Sequence, residues 1–322
     1  MNATQTERYE LTTAQLEQFD RDGFLVVDNV FSDADLQPVI DEVTVEIDRV
    51  AKECVARGEL NNTFVEENFE SRLAKISLQT DKVAQSVWNG SLAGPAFFNL
   101  IRNPRLLDVA EQFCGPELIA SSVYRLRPKI PNHRQSPVPW HQDSGYMEPY
   151  CDNALVLTVW LPLVDATEEN GCLWVIPGAH KGEVVFHGTN KGHPYLEIAP
   201  EHLPAGKPVC VSVRKGSVLM MTNRTPHASF ENKTEIVRWS MDLRYQSAAL
   251  PTNAPITRLP GEAIGKFGGP VPIACYPPEA DFLIRSTLRP NEVVTDPAEF
   301  HRIRKTHLWQ GLTPRWKVEP KA

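Results

Sequence analysis

The sequence predicts a mainly β protein with flanking helices, its core a barrel or jelly roll. Three observations carry that expectation. Short apolar runs separated by turn residues fill the stretch from about 121 to 245. Helical periodicity is concentrated in roughly the first 120 residues. Near residue 240, Arg238, Ser240 and Asp242 alternate with Val237, Trp239, Met241 and Leu243, the pattern of a strand with a polar lumen on one side and apolar packing on the other.

The elements follow in order. Thr12 stands as a cap before a short helix that puts Leu16 and Phe19 on one side, and Gly23 ends it. Phe24-Leu25-Val26-Val27 reads as a strand. Leu36, Ile40, Val43, Ile47 and Val50 recur at helical spacing, so a long amphipathic helix follows. Proline fits only the first turn of a helix, so Pro38 places the start of this one near Asp35. A third helix runs from Pro104 to Cys114 and stops at Gly115-Pro116. Ala154 to Leu163 is an almost continuous apolar strand, and Asn170-Gly171 turns into a strand over Cys172 to Ile176, closed by Pro177-Gly178. Val209 to Val213 and Ser217 to Met221 flank a turn at Lys215-Gly216. Asn232-Lys233 separates Ala228–Glu231 from Glu235–Tyr245 and predicts a tight hairpin, in which His227 faces Arg238 and Ser229 faces Ile236. A proline-rich tail reaches about residue 280, and a basic helix is expected near Glu299 to Leu308. No repeat or linker divides the chain. One domain over 1–322 is expected: a mainly helical part with one core strand to residue 120, a core carrying the site over 121–245, and a C-terminal extension over 246–322.

Composition excludes several classes. The chain has 322 residues, 42% hydrophobic and 23% charged, the balance of a soluble globular protein that buries a large core without disulfides. A net charge of −7 argues against nucleic acid and against an anionic membrane surface as partners. The first residues lack the basic and apolar regions of a secretory signal. The longest apolar run, Ala154 to Val164, is interrupted by Thr158 and Pro162 and is too short for a bilayer. None of the six cysteines forms a CxxC pair, so they read as reduced thiols of a cytoplasmic protein.

His141 and Asp143 are two apart, and on a strand both point to one face, with Gln142 directed elsewhere. An HxD triplet alone is a weak signal. His227 adds a second histidine from another strand, and two histidines with one carboxylate are the facial triad of non-haem iron(II) oxygenases. The same set also builds a catalytic zinc site. Arg238 favours the oxygenase, because a hydrolase has no need of a cation for a dicarboxylate beside its histidine.

The chain resembles the phytanoyl-CoA dioxygenase family of iron(II)/2-oxoglutarate-dependent oxygenases. The residues that carry the resemblance are Trp140-His141-Gln142-Asp143, the stretches Thr158 to Leu163 and Glu169 to His180, Lys215-Gly216-Ser217, His227-Ala228-Ser229 and Arg238. A weaker similarity covers Asp22 to Asp33. The resemblance implies a double-stranded β-helix (jelly-roll, cupin-like) core. It implies Fe(II) held by His141, Asp143 and His227, with 2-oxoglutarate as cosubstrate, its distal carboxylate bound by Arg238 and Ser229, and O2 as co-reactant. Trp160 and Gln142 match positions lining the cosubstrate pocket of relatives. Arg127 is a candidate second cation near the cosubstrate.

The expected reaction is oxidative decarboxylation of 2-oxoglutarate coupled to hydroxylation of a small-molecule substrate. Related halogenases replace the carboxylate ligand by a small residue; Asp143 is retained here, which disfavours halogenation. Desaturation and ring formation use the same ligand set and stay open, as does a non-catalytic jelly-roll metal-binding protein. Tyr146, Met147, Glu148 and His133 are the candidate substrate-facing residues. His187, His193 and His202 lie in a polar insertion, Lys181 to Lys207, and read as solvated loop residues over one mouth of the barrel.

Overall fold

A computed structural model describes residues 8–88, 92–122, 124–133, 136–147, 149–189, 195–249 and 281–305. Helix α1 (Thr13–Asp22) starts at a capping box between Thr12 and Gln15, and Gly23 closes it by donating its N–H to Phe19 O. Strand β1 (Phe24–Val27) leads to α2 (Asp33–Ala56), which buries Leu36, Val39, Ile40, Val43, Ile47 and Val50 as the periodicity predicts. Helix α2 begins earlier than Pro38 suggested. Ser32 and Asp35 cap each other's backbone N–H groups, and this reciprocal cap sets the start. Pro38 therefore lies in the second turn, where it cannot donate to the Ala34 carbonyl. Ala34 and Pro38 are both exposed, so that carbonyl faces water.

Three helices that the periodicity did not single out follow: α3 (Phe69–Ser77), α4 (Lys82–Trp88) and α5 (Pro95–Ile101). Each spans about two turns, too short to repeat an apolar period clearly. The expected α6 (Pro104–Cys114) is found, with Asn103 as its cap and Gly115 ending it.

The strands then build two facing sheets. In chain order they are β2 (Leu118–Ser121), β3 (Arg125–Lys129), β4 (Val138–His141), β5 (Val156–Pro162), β6 (Leu173–Val175), the short ribbon β7 (Gly188–Thr189) and β8 (Leu196–Glu197), β9 (Val209–Val211), β10 (Val218–Thr222), β11 (His227–Ser229), β12 (Arg238–Ser247) and β13 (Asp281–Arg285). The large sheet has the order β1-β10-β5-β12-β2-β13, with β3 beside the first half of β12. The small sheet has the order β4-β11-β6-β9. Every pairing is antiparallel. This is the jelly-roll core that the turn pattern predicted, and β13 with α7 (Pro297–Lys305) packs against it from the C-terminal side.

Alternation along the central strands explains why helices cover one side and the small sheet the other. Leu157, Val159 and Leu161 of β5, with Trp239, Met241 and Leu243 of β12, join the helices in one apolar core. Trp160, Leu219 and Met221 of the large sheet instead meet Leu173, Val175 and Val211 of the small one. Being buried on both faces is why β5 reads as a continuous apolar run. Trp239 also donates its indole N–H to Phe69 O and stacks on the Phe69 ring, which fixes α3 to the sheet.

The expected hairpin between β11 and β12 does not form. Strand β11 pairs with β4 and β6 in the small sheet, whereas β12 lies in the large sheet between β3, β2 and β5. The chain changes layers between them, and the Asn232 side chain makes that crossing. Its Nδ2 donates to Lys129 O and Ile236 O, and its Oδ1 accepts from Thr234 N. His227 consequently faces His141, and the cross-strand neighbour of Arg238 is Lys129. The proline-rich tail, Arg134, Glu148, His193, Cys275 and His307 lie outside the described residues. Among the described residues no helix is long and apolar enough to cross a membrane.

Pro38→Ala is expected to stabilise the chain. An interior proline costs a helix about 3 kcal/mol relative to alanine. Losing the stiffness of proline in the unfolded chain offsets roughly 1 kcal/mol of that. A urea titration should show a higher midpoint with an unchanged slope; a lower midpoint would contradict the interior placement of Pro38.

Candidate active site

The pairing of β4 with β11 brings His141 and His227 side by side, their ring centroids 4.1 Å apart. Both are fixed in the same way. Each directs its Nδ1 to a backbone carbonyl two residues earlier, Pro139 O at 2.8 Å and Thr225 O at 2.9 Å. A donated Nδ1–H leaves each Nε2 lone pair to face inward, the arrangement a metal ligand needs. Strand β4 ends at His141, but Gln142 keeps an extended backbone, so Asp143 still emerges on the same side at the head of a 3-10 turn, Asp143–Tyr146. Asp143 Oδ1 lies 3.8 Å from both Nε2 atoms. The three ligand atoms fall within 4.8 Å of one another, a spacing that one ion bridges. All three side chains are buried.

The charge states suit a metal. Burial, reinforced by the neighbouring His227 and opposed by Asp143, holds the His141 imidazolium pKa well below the ordinary histidine value. Burial by itself would raise the Asp143 carboxyl. Arg244, the two histidines and the Thr158 hydroxyl together outweigh it, and the group stays ionised well below the usual carboxylate range. Neutral imidazoles and a carboxylate are the ligand forms that bind metal.

The ligands open into a cleft between the two sheets, lined also by Thr158, Trp160, Leu173 and Met221. Arg238 crosses its floor. The residue is 2% exposed. Its Nη1 donates to Ser240 Oγ, its Nη2 to Ser229 Oγ at 3.2 Å, and its guanidinium lies 5.1 Å from the Trp160 ring centroid. Ser229 Oγ in turn donates to Gly171 O at 2.8 Å. No carboxylate pairs with Arg238 among the described residues, and its Nε has no hydrogen-bond partner there. Burial, with Arg127 nearby, pulls the guanidinium pKa down to about 9. The other charges in the cleft are paired: Arg127 Nε meets Asp242 Oδ1 at 2.7 Å, and Arg244 bridges Asp242 Oδ2 and Asp143 Oδ2, each at 3.0 Å.

Lys129 supports this floor from behind. Its Nζ donates to Ser136 O, Ser229 O and Phe230 O. Burial, with Arg238 and Arg127 alongside, pulls the amine down to about 6. Three carbonyl acceptors nevertheless call for the three N–H bonds of the ammonium, since a neutral amine would turn its lone pair toward one of them. The hydrogen-bond count decides the charged form. Gly171 makes room: a Cβ there would sit 2.6 Å from Lys129 Cδ and 2.8 Å from Phe230 O.

The structure thus brings His141, Asp143, His227, Arg238, Ser229, Trp160 and Arg127 to one cleft. It places Gln142 elsewhere. That side chain donates to Arg224 O at 2.9 Å and Glu183 O at 3.3 Å and accepts from Val185 N, tying the metal segment to the insertion rather than lining the cavity. Met147 is fully buried in a separate cluster with Cys151 and Val156, because the 3-10 turn reverses the chain after Tyr146. His133 approaches Asp81 at 3.4 Å and does not line the cleft. Tyr146 sets its ring edge against His141, and its hydroxyl accepts from Leu196 N. His187, expected in solvent, is fully buried. Its Nε2 accepts from Gln142 N at 2.9 Å, and Gly145 leaves space for its ring, which a Cβ would approach to 2.7 Å. The apolar run Val184-Val185-Phe186 just before it is the sequence signal that this stretch of the insertion packs inward. Thr158 and Arg244 were also missed; extending the two-residue alternation from Arg238 through Asp242 would have found Arg244.

The phytanoyl-CoA dioxygenase (PhyH) family model matches residues 19–240. The chain belongs to this family of iron(II)/2-oxoglutarate-dependent oxygenases, as its motifs implied. It is similar to human peroxisomal phytanoyl-CoA dioxygenase, 26% identical over 246 residues, 74% of this chain and 69% of the relative. It is similar to the ectoine dioxygenase of Bordetella parapertussis, 23% identical over 262 residues, 76% of this chain and 78% of the relative. Among solved structures, the apo form of the non-heme monooxygenase ThoJ aligns with a TM-score of 0.51 at 21% identity, covering 72% of this chain and 76% of the other. The epimerase SnoN, solved with Fe3+, alpha-ketoglutarate and nogalamycin RO, aligns with a TM-score of 0.50 at 21% identity, covering 82% and 94%.

Because His141 resists protonation, protons should not compete with a metal in the ordinary histidine range. Isothermal titration with Co(II) should give an affinity that is level from about pH 8 down to 6.5, the usual histidine pKa, and that falls only below it. A steep loss beginning at or above that value would show that protons compete for the ligand set in the ordinary histidine range, against this expectation.

Proposed function

We propose that the chain couples oxidative decarboxylation of 2-oxoglutarate to hydroxylation of a C–H bond in a small-molecule substrate. His141, Asp143 and His227 would hold Fe(II), and Arg238 with Ser229 would hold the distal carboxylate of 2-oxoglutarate beside Trp160. The observation that carries the reading is Arg238: a buried guanidinium with no carboxylate beside it among the described residues, in reach of three ligands for one metal. A charge buried that way is costly until an anion joins it, and a planar guanidinium matches a carboxylate through paired N–H donors. Iron(II), when bound with 2-oxoglutarate and O2, supplies the oxidising chemistry. The protein's share is positional: the Nδ1 contacts orient both imidazoles, Trp160 and Leu173 keep water from the floor, and Arg127 at the cleft wall stands where a polar group of cosubstrate or substrate would meet it. Hydroxylation is the reading preferred over halogenation, because Asp143 completes the ligand set; desaturation, ring formation and epimerisation, the reaction of the SnoN neighbour, are its alternatives.

The test begins without oxygen. Adding Fe(II) and 2-oxoglutarate should produce a visible metal-to-ligand charge-transfer band, and His141→Ala should abolish it. Arg238→Ala should weaken 2-oxoglutarate binding about 100-fold, from roughly 3 kcal/mol for truncating one side of a buried charge pair, while leaving metal affinity nearly unchanged. Equal losses of both would refute the assignment of Arg238. With oxygen, a screen of metabolites for substrate-dependent succinate release, followed by product mass, separates hydroxylation from its alternatives: a gain of one oxygen atom supports it, and a loss of two hydrogens replaces it.

A further inference from the structure

The two oxygens of Asp143 are treated differently. Oδ1 faces both histidine Nε2 atoms at 3.8 Å. Oδ2 accepts a hydrogen bond from Thr158 Oγ1 at 2.5 Å and forms an ion pair with Arg244 Nη2 at 3.0 Å. Both donors come from one cross-strand pair, because Arg244 of β12 stands opposite Thr158 of β5. Arg244 is itself held by Asp242, and Asp242 by Arg127, so its guanidinium is anchored on the side away from Asp143. Oδ2 is thus engaged within the protein by one hydrogen bond and one buried ion pair, while Oδ1 is left toward the histidines.

We propose that Arg244 is a positioning residue that makes Asp143 a single-oxygen ligand. The proposal rests on the reading of His141, Asp143 and His227 as metal ligands. A free carboxylate can bind a metal through one oxygen or both, and the second oxygen would take a position that the cosubstrate or O2 needs. Arg244 carries more of this role than Thr158, because a full positive charge 3.0 Å from the oxygen in a buried site attracts it more strongly than a neutral hydroxyl does. The residue acts through Asp143 and need not touch the cosubstrate.

Mn(II) is a suitable probe, since the relaxation of water protons reports how many waters the bound ion holds. The wild-type chain and His141→Ala are measured first. If the two bind Mn(II) alike, the ligand assignment itself fails, which is a different failure from that of Arg244. Given binding, Arg244→Met should still take up Mn(II), but its inner-sphere relaxivity should fall by about one third, as three open positions become two. An Arg244→Met variant with wild-type relaxivity overturns the proposal. So does one that loses Mn(II) as completely as His141→Ala, because Arg244 would then be needed to form the ligand set at all. Thr158→Val is nearly isosteric and keeps the test decisive if Arg244→Met does not fold. It should retain the wild-type relaxivity, and a fall there would transfer the role to Thr158.

Discussion

Arg238, Ser240, Asp242 and Arg244 leave β12 on the same side, and the small sheet shuts that side off from water. Ions buried in this way must find partners or neutralise. The pairing along the cleft follows from that requirement. Asp242 serves Arg127 and Arg244, Arg244 reaches on to Asp143, and Arg238 is left with two serine hydroxyls and an aromatic face. The opposite side of the same strand is apolar and carries the helices. One strand therefore transmits helix packing directly to the groups around the ligands, and a substitution on its apolar side displaces charges on its polar side.

A second layer of restraint surrounds the ligands. Gln142 sits between two of them and spends its side-chain amide on three backbone groups of the insertion and the β10–β11 turn, while its own N–H goes to His187. Ile198 N donates to Trp140 O, adding a backbone bond on the other side of His141. The insertion is consequently built into the metal segment rather than laid across it. Lys129 plays the matching part for β11, gathering the carbonyls of Ser229 and Phe230 so that the Ser229 hydroxyl stays aimed between Gly171 and Arg238.

Much of this was legible in the residues. Period-two alternation identifies both faces of β12, turn residues mark most strands of the core, and capping residues locate α1 and α6. His141, Asp143, His227 and Arg238 were singled out by residue type and motif, and the fold brings them to one cleft. What stayed hidden was governed by contacts distant in sequence. Asn232 has the composition of a hairpin turn, yet its side chain bonds Lys129 O on another strand and redirects the chain to the other sheet. Pro38 looked like a start signal, but the reciprocal cap of Ser32 and Asp35, less than two turns before it, sets the start instead. Gln142 and Met147 stand near ligands and look like cavity residues, but strand alternation turns Gln142 toward the insertion, and Met147, just past the 3-10 turn, enters a separate cluster. His187 follows an apolar run, Val184 to Phe186, but its own burial depends on space left by a glycine, Gly145, in a different part of the chain.

The direct pairing of His141 with His227 has a consequence for the life history of the molecule. These strands are far apart in sequence, and everything from β5 to β10 lies between them. Contacts of that separation are closed only after the entropy of the intervening loop has been overcome, which places them late in folding. The Asp143–His227 approach depends on the same event. A nascent or partly folded chain thus holds His141 and Asp143 without their third partner, and tight metal capture becomes a property of the finished sheet alone. Metal selection is then made by a rigid site in a completed protein rather than by a loose pair of ligands on the way there.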